Sequence, residues 1–172
     1  MADDRALTML HTALEMEEKG RKFYDEAVQK AENPLGKEIF EMLRDYEVQH
    51  TERIKEIYDN LKAGEGWRED RADFAVAANL GQVFRKLARQ QKELITPATG
   101  DMEALGVGIE FESTAVNFYE QQVPQAQNPL EKKFLEHMVA EEREHLNLLT
   151  DIRHYYRDPE TWFQEKEKIY LD

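Results

Sequence analysis

Sliding the sequence along itself by 95 residues lays its start on its end without a gap. Between Leu10 and Ile57, 15 of 48 aligned positions carry the same residue as their partners, where chance gives about three or four at ordinary composition. Phe23-Tyr24 falls on Phe118-Tyr119, Val28 on Val123, and Asn33-Pro34-Leu35 on Asn128-Pro129-Leu130. Self-similarity of this kind means that one supersecondary unit is used twice. A chain so built must fold each copy alike and then bury the two copies against each other.

Each copy reads as a pair of helices. Apolar residues at Leu7, Leu10, Ala13/Leu14, Tyr24 and Val28 follow a 3.6-residue period from Ala6 to about Lys30. Asn33-Pro34 stops that helix and opens the next, with proline suited to a first turn. The second runs from Leu35 to about Leu61 through Ile39, Met42/Leu43, Tyr46, His50, Ile54 and Ile57, and Gly64-Glu65-Gly66 ends it. In the second copy the third long helix is expected to be capped by Thr99 or Asp101 and limited by Pro124. The fourth covers Phe134 to Tyr156, with Leu135, Met138, Val139, Leu146, Leu149 and Ile152 on its core face. Between the copies, Trp67, Phe74, Val76 and the Leu80-Phe84-Leu87 spacing predict a covering segment with a short helix from about Asn79 to Leu94. Thr96-Pro97-Ala98-Thr99-Gly100 ends it. After Asp158-Pro159, residues 160–170 read as an amphipathic tail helix whose Trp162 packs on the bundle or on a partner chain.

The expected fold is therefore all-α: a four-helix bundle of two helical hairpins, about 4–62 and 101–157. A long crossover spans about 63–100 and a tail helix about 159–171, all in a single domain 1–172. Charged residues make up 34% of the chain and the formal net charge is −13. That argues against nucleic acid or an anionic membrane as partner, since no basic surface is available to neutralise phosphate. There is no cysteine, which excludes disulfides, thiol catalysis and cysteine-ligated iron. The acidic start, Met1-Ala2-Asp3-Asp4-Arg5, has no apolar leader pattern, and a cytoplasmic location is expected by default.

Chemistry enters with Glu142-Arg143-Glu144-His145. Positions three apart share a helix face, so Glu142 and His145 reach one point beside core residues. With 25 Glu and five His in the chain, two or more Glu-x-x-His pairs arise by accident roughly 15% of the time. The alternative to a site is a solvated helix face carrying a surface histidine. The second pair, Glu47-x-x-His50, falls on the first under the 95-residue shift. Glu17 likewise falls on Glu112, each on an apolar stripe where a carboxylate is a liability. A duplicated hairpin could keep its turn and core without any site, but turn and core give no reason to keep these two glutamates. Four carboxylates and two imidazoles in one bundle core require cations. Two divalent ions satisfy them, with Glu47 and Glu142 bridging, Glu17 and Glu112 at the ends, and His50 and His145 on one ion each. Mixed carboxylate and imidazole ligation suits iron or manganese, and the His-Glu-x-x-His of zinc proteases is absent.

These residues reach a family. Glu17-x-x-Gly20-x-x-x-Tyr24 with Glu47-x-x-His50, then Glu112-x-x-Ala115-x-x-x-Tyr119 with Glu142-x-x-His145, resemble the rubrerythrin branch of the ferritin-like di-iron carboxylate proteins. The likeness covers both hairpins and fills all six core ligand positions. Two departures stand out. Rubrerythrins typically carry a rubredoxin-like domain with four Cys, so this chain resembles the short relatives that depend on an outside donor. Family members also tend to carry an extra Glu on the third helix, where Ile109 and Ala115 stand here; this puts the family's ligand exchange in question. Glu15 and Glu110 lie off the stripe and are expected to face solvent.

The resemblance implies two iron ions, or manganese, and reduction of hydrogen peroxide or oxygen with electrons from an external rubredoxin-type donor. Tyr24 and Tyr119 would hydrogen-bond ligand carboxylates or the bound oxygen species; alternatively they are buried tyrosines whose hydroxyls merely found a partner. The alternatives in function are a ferroxidase or iron-storage protein, and a helical scaffold with a structural metal site. His11, His137 and His154 have no matching glutamate and are expected to be surface or packing residues. A homodimer is expected.

Overall fold

The computed structural model describes residues 2–72, 79–90 and 99–168. Phe74, Val76, the far end of the covering helix toward Leu94, Thr96-Pro97-Ala98 and the last residues of the tail lie outside them. Four long helices dominate: α1 (Ala2–Lys30), α2 (Pro34–Lys62), α5 (Thr99–Gln122) and α6 (Pro129–Arg157). Between α2 and α5 come the single turn α3 (Glu69–Ala72) and α4 (Leu80–Gln90), and α7 (Pro159–Lys168) ends the series. No strand occurs among the described residues, and none of the helices is long and apolar enough to cross a membrane.

The repeat is visible in the turns. Asn33 and Asn128 each sit in extended backbone before a helix, and each side-chain oxygen accepts a hydrogen bond from the backbone N–H two residues on, at 2.8 Å. Pro34 and Pro129 follow at the first helical position, where no N–H is needed. At the far end of α2, Gly64 and Gly66 adopt positive φ of 79° and 74°, which lets the chain leave the helix without a Cβ clash.

Two capping expectations are corrected. α5 already begins at Thr99, which places Thr99 inside the helix. Asp101 is buried in its first turn and turns its carboxylate away, accepting from the backbone N–H groups of Glu32 and Asn33 at 3.3 and 3.1 Å. It therefore closes the turn of the other hairpin. The counterpart turn is held by a different carboxylate, Glu131, which accepts from the Gln127 N–H at 3.0 Å and pairs with Arg5.

Within each hairpin the helices pack closely, α1 on α2 and α5 on α6. The core falls into two apolar clusters at opposite ends of the bundle. One joins Tyr24, Ile39, Phe40 and Leu43 to Leu105, Leu149 and Ile152, and is covered by α4 and α7 through Phe84 and Trp162. The other joins Leu10, Ala13, Ile54 and Ile57 to Tyr119, Phe134, Leu135 and Met138. α1 and α6 run from the second cluster to the first, and α2 and α5 run the other way. The crossover accordingly traverses the length of the bundle. Trp162 is fully buried against Phe84 and Tyr155, with ring centroids 5.3 Å apart in both cases. Its packing is thus within this chain. Trp67 lies against Phe134. Leu146, expected in the core, is only half-buried, and Leu148 is buried in its place.

Candidate metal centre

At mid-height, each long helix interrupts its apolar stripe with acid. On α1 the buried sequence passes from Ala13 to Glu17 to Tyr24, and on α5 from Leu105 to Glu112 to Tyr119. On α2 it passes from Leu43 through Glu47 and His50 to Ile54, and on α6 from Val139 through Glu142 and His145 to Leu148. Glu17, Glu47, Glu112 and Glu142 have no exposed surface, and His50 and His145 are 1% exposed. All six predicted residues come together. They form two groups, Glu17, Glu47, His50 and Glu142, and then Glu47, Glu112, Glu142 and His145, each with its donor atoms within 4.8 Å of one another. Glu47 and Glu142 belong to both groups, the place expected of bridging carboxylates.

Both imidazoles turn Nδ1 inward. His50 Nδ1 lies 3.1 Å from Glu142 and 3.3 Å from Glu17, and His145 Nδ1 lies 3.2 Å from Glu142 and 3.7 Å from Glu47 and Glu112. The two rings stack with centroids 5.4 Å apart. Tyr24 of α1 donates its hydroxyl hydrogen bond to Glu112 of α5, and Tyr119 of α5 donates to Glu17 of α1. Each hairpin thus holds a carboxylate of the other.

The electrostatics are those of a crowded acid site. Burial pushes the Glu47 carboxyl well above its usual range, and the charges of Glu17 and Glu142 add to this. Burial likewise raises Glu112 to about 7, with His145 pulling the other way. Burial also opposes ionisation of Glu142, yet His50 and His145 outweigh it and hold that carboxyl below the usual range. For the imidazoles burial favours the neutral form, but the surrounding carboxylates override it, raising His50 well above its normal value and His145 to about 9. Burial and the neighbouring carboxylates push both tyrosines up, so they remain donors.

The donor set fits cations. Both oxygens of Glu47 and of Glu142, Glu112 Oε2, His50 Nε2 and both nitrogens of His145 are buried without a hydrogen-bond partner. Buried polar atoms are ordinarily satisfied, and six orphaned or crowded donors in one layer point to ions as the missing partners. Four carboxylates balance two divalent charges. All-oxygen and imidazole ligation without thiolate suits iron or manganese.

Residues outside the expected set also take part. Glu141, next to Glu142, is nearly buried and brings Oε2 to 3.2 Å from His50 Nε2. This is a close ion-pair contact not aligned well enough to count as a formed hydrogen bond. Arg53 donates to the same oxygen at 2.7 Å. Tyr46 packs its ring on His145 at 5.1 Å. Glu141 lies three residues after Met138 and four before His145, so helical spacing alone places it on the buried stripe. Glu15 and Glu110 are exposed as expected, and His11 is exposed. His137 and His154 are half-buried, and neither is in the groups of donor atoms. Ala115 is fully buried and offers no donor.

The rubrerythrin family model matches residues 8–99, just over half of the chain. Neither the search of curated proteins nor the search of solved structures returned a match. The match takes in Glu17, Glu47 and His50 of hairpin one, and hairpin two repeats the same pattern at the same height of the bundle, so the chain belongs to the rubrerythrin family.

Proposed function

We propose that this protein is a di-iron oxidoreductase that reduces hydrogen peroxide, or oxygen, in the cytoplasm with electrons from an external donor. The observation that carries the reading is the pair of buried donor groups sharing Glu47 and Glu142, within a chain of this family. Two ferrous ions held there would supply the two electrons needed to convert H₂O₂ and two protons into two water molecules. The protein supplies the setting. Glu17, Glu47, His50, Glu112, Glu142 and His145 would hold the two ions, and the two apolar clusters flank this polar layer on either side. Tyr24 and Tyr119 hold the terminal carboxylates in place from the opposite hairpin.

One observation favours a second reading, oxidation of Fe(II) for storage or buffering. Ala115 is buried and leaves only the six-residue donor set, without the extra carboxylate associated with rubrerythrin turnover. Stopped-flow mixing of anaerobically iron-loaded protein decides between the two. Fast oxidation by peroxide with slow oxidation by oxygen supports the first; the reverse, with a cage-sized particle by light scattering in place of the expected homodimer, supports the second. Metal analysis tests the site itself. Glu142→Ala is expected to lose at least one ion per chain and His137→Ala none; equal metal content in the two variants overturns the assignment.

A further inference from the structure

Beside the centre the two copies of the repeat differ in what stands behind the histidines. Under the 95-residue shift Tyr46 falls on Glu141 and Arg53 on Leu148. The two histidines therefore meet different neighbours on the side that faces away from the other donors. Behind His50, Glu141 brings a carboxylate oxygen to 3.2 Å from Nε2, and Arg53 Nη1 holds that same oxygen at 2.7 Å. The pair is largely shielded, with side-chain exposures of 7% for Glu141 and 18% for Arg53. Behind His145 stands the ring of Tyr46 at 5.1 Å and 58°. Nε2 of both histidines is buried without an aligned hydrogen bond, and of the two, among the described residues, His50 alone has a carboxylate at ion-pair distance from that nitrogen.

A histidine that binds a metal through one nitrogen ordinarily donates its other N–H to a carboxylate or carbonyl. That contact fixes the ring and makes the ligating nitrogen more basic, and losing it typically costs about 10- to 100-fold in metal affinity. His50 has such a partner within reach, itself pinned by a guanidinium. His145 has an aromatic face instead, which restricts the ring without orienting a proton.

We propose that the two metal positions are unequal: the one built on His50 fills first and holds its ion more tightly, and Glu141 is the positioning residue responsible. The inference rests on the reading of the centre as a site for two divalent cations. It adds an order of loading and a residue that sets it. Tyr46 marks the looser position, whose ion exchanges with solution first.

The test is an anaerobic titration of the metal-free full chain with Co(II), followed by calorimetry and by visible absorption of the bound ion. Two steps are expected, about 10- to 100-fold apart in affinity. His145→Ala removes the weaker step and His50→Ala the tighter one. Glu141→Gln weakens the tighter step by about that factor, changes the absorption band of the first ion, and leaves the second step within about threefold. Tyr46→Glu, which copies the partner half, strengthens the weaker step; circular dichroism confirms that each variant is folded. Two equal steps in the parent chain, equal weakening of both steps by Glu141→Gln, or loss of the tighter step in His145→Ala overturns the proposal while leaving the two-cation reading intact. Failure of the parent chain to bind a second ion under any condition overturns both.

Discussion

Glu17 and Glu112 each accept a hydrogen bond from a tyrosine of the opposite hairpin, and the loss of either contact leaves a buried carboxylate oxygen unpaired. Tyr24→Phe is therefore expected to destabilise the metal-free chain by about 1–3 kcal/mol, measured by urea unfolding; an unchanged midpoint shows that the contact contributes nothing. The same crowding sets a pH dependence. Burial raises Glu112 to about 7 from 4.5; burial opposes a charged His145, but its carboxylate neighbours raise it to about 9 from 6.5. Both bind protons more readily folded than unfolded, so stability falls as pH rises. The His145 contribution is whole below about 6.5 and lost near 9, and the Glu112 contribution is lost between about 4.5 and 7. Glu142, held low by the histidines against the effect of burial, gives the opposite slope only below about 4.5. The melting temperature of metal-free protein should fall from pH 5 to pH 9, and a rise over that range contradicts the assignment. The six donors were legible in the sequence because each occurs twice and each spoils an apolar stripe. Glu141 and Arg53 were not, since repetition was the filter and their counterparts are Tyr46 and Leu148.

Between the hairpins, α1 and α5 approach through a glycine. A Cβ added at Gly20 would lie 2.3 Å from the Phe111 ring, one turn along α1 from Glu17. Gly20→Ala gains about 1 kcal/mol of helix propensity but forces the ring aside, and overpacking of this kind costs about 1–3 kcal/mol. The single variant is expected to be less stable than Gly20→Ala/Phe111→Leu, compared by thermal melting; equal losses in the two would show that the ring yields freely. The helices and the Asn-Pro turns between them could be read from periodicity and turn residues; that the Asn side chains cap the following helices is seen only in the structure. The true partners of Asp101 could not, because they are backbone groups about 68 residues away in the chain, and only the packed structure brings them near.

For the molecule as a whole, the polar layer lies between two apolar clusters, and the one around Ile39 and Ile152 is closed by elements outside the bundle. Trp162 of α7 is buried against Phe84 of α4 and Tyr155 of α6. Trp162→Ala is expected to cost about 3–5 kcal/mol while leaving metal stoichiometry unchanged; loss of metal in a variant that remains folded would show that the cap shapes the centre. The bundle itself was legible because a duplicated amphipathic hairpin has few ways to bury its stripes. The seat of Trp162 on α7 was open between bundle and partner chain, since an aromatic on a short helix names no address. The division of the donors has a further consequence. Each group of four takes three residues from its own hairpin and borrows one, Glu142 or Glu47, from its neighbour. A lone hairpin would always be one ligand short. Two identical hairpins related by a twofold axis would lend the missing group reciprocally, and fusing them on one polypeptide replaces a concentration-dependent encounter with a tether. Duplication on one chain thus lets each half supply the ligand that the other lacks.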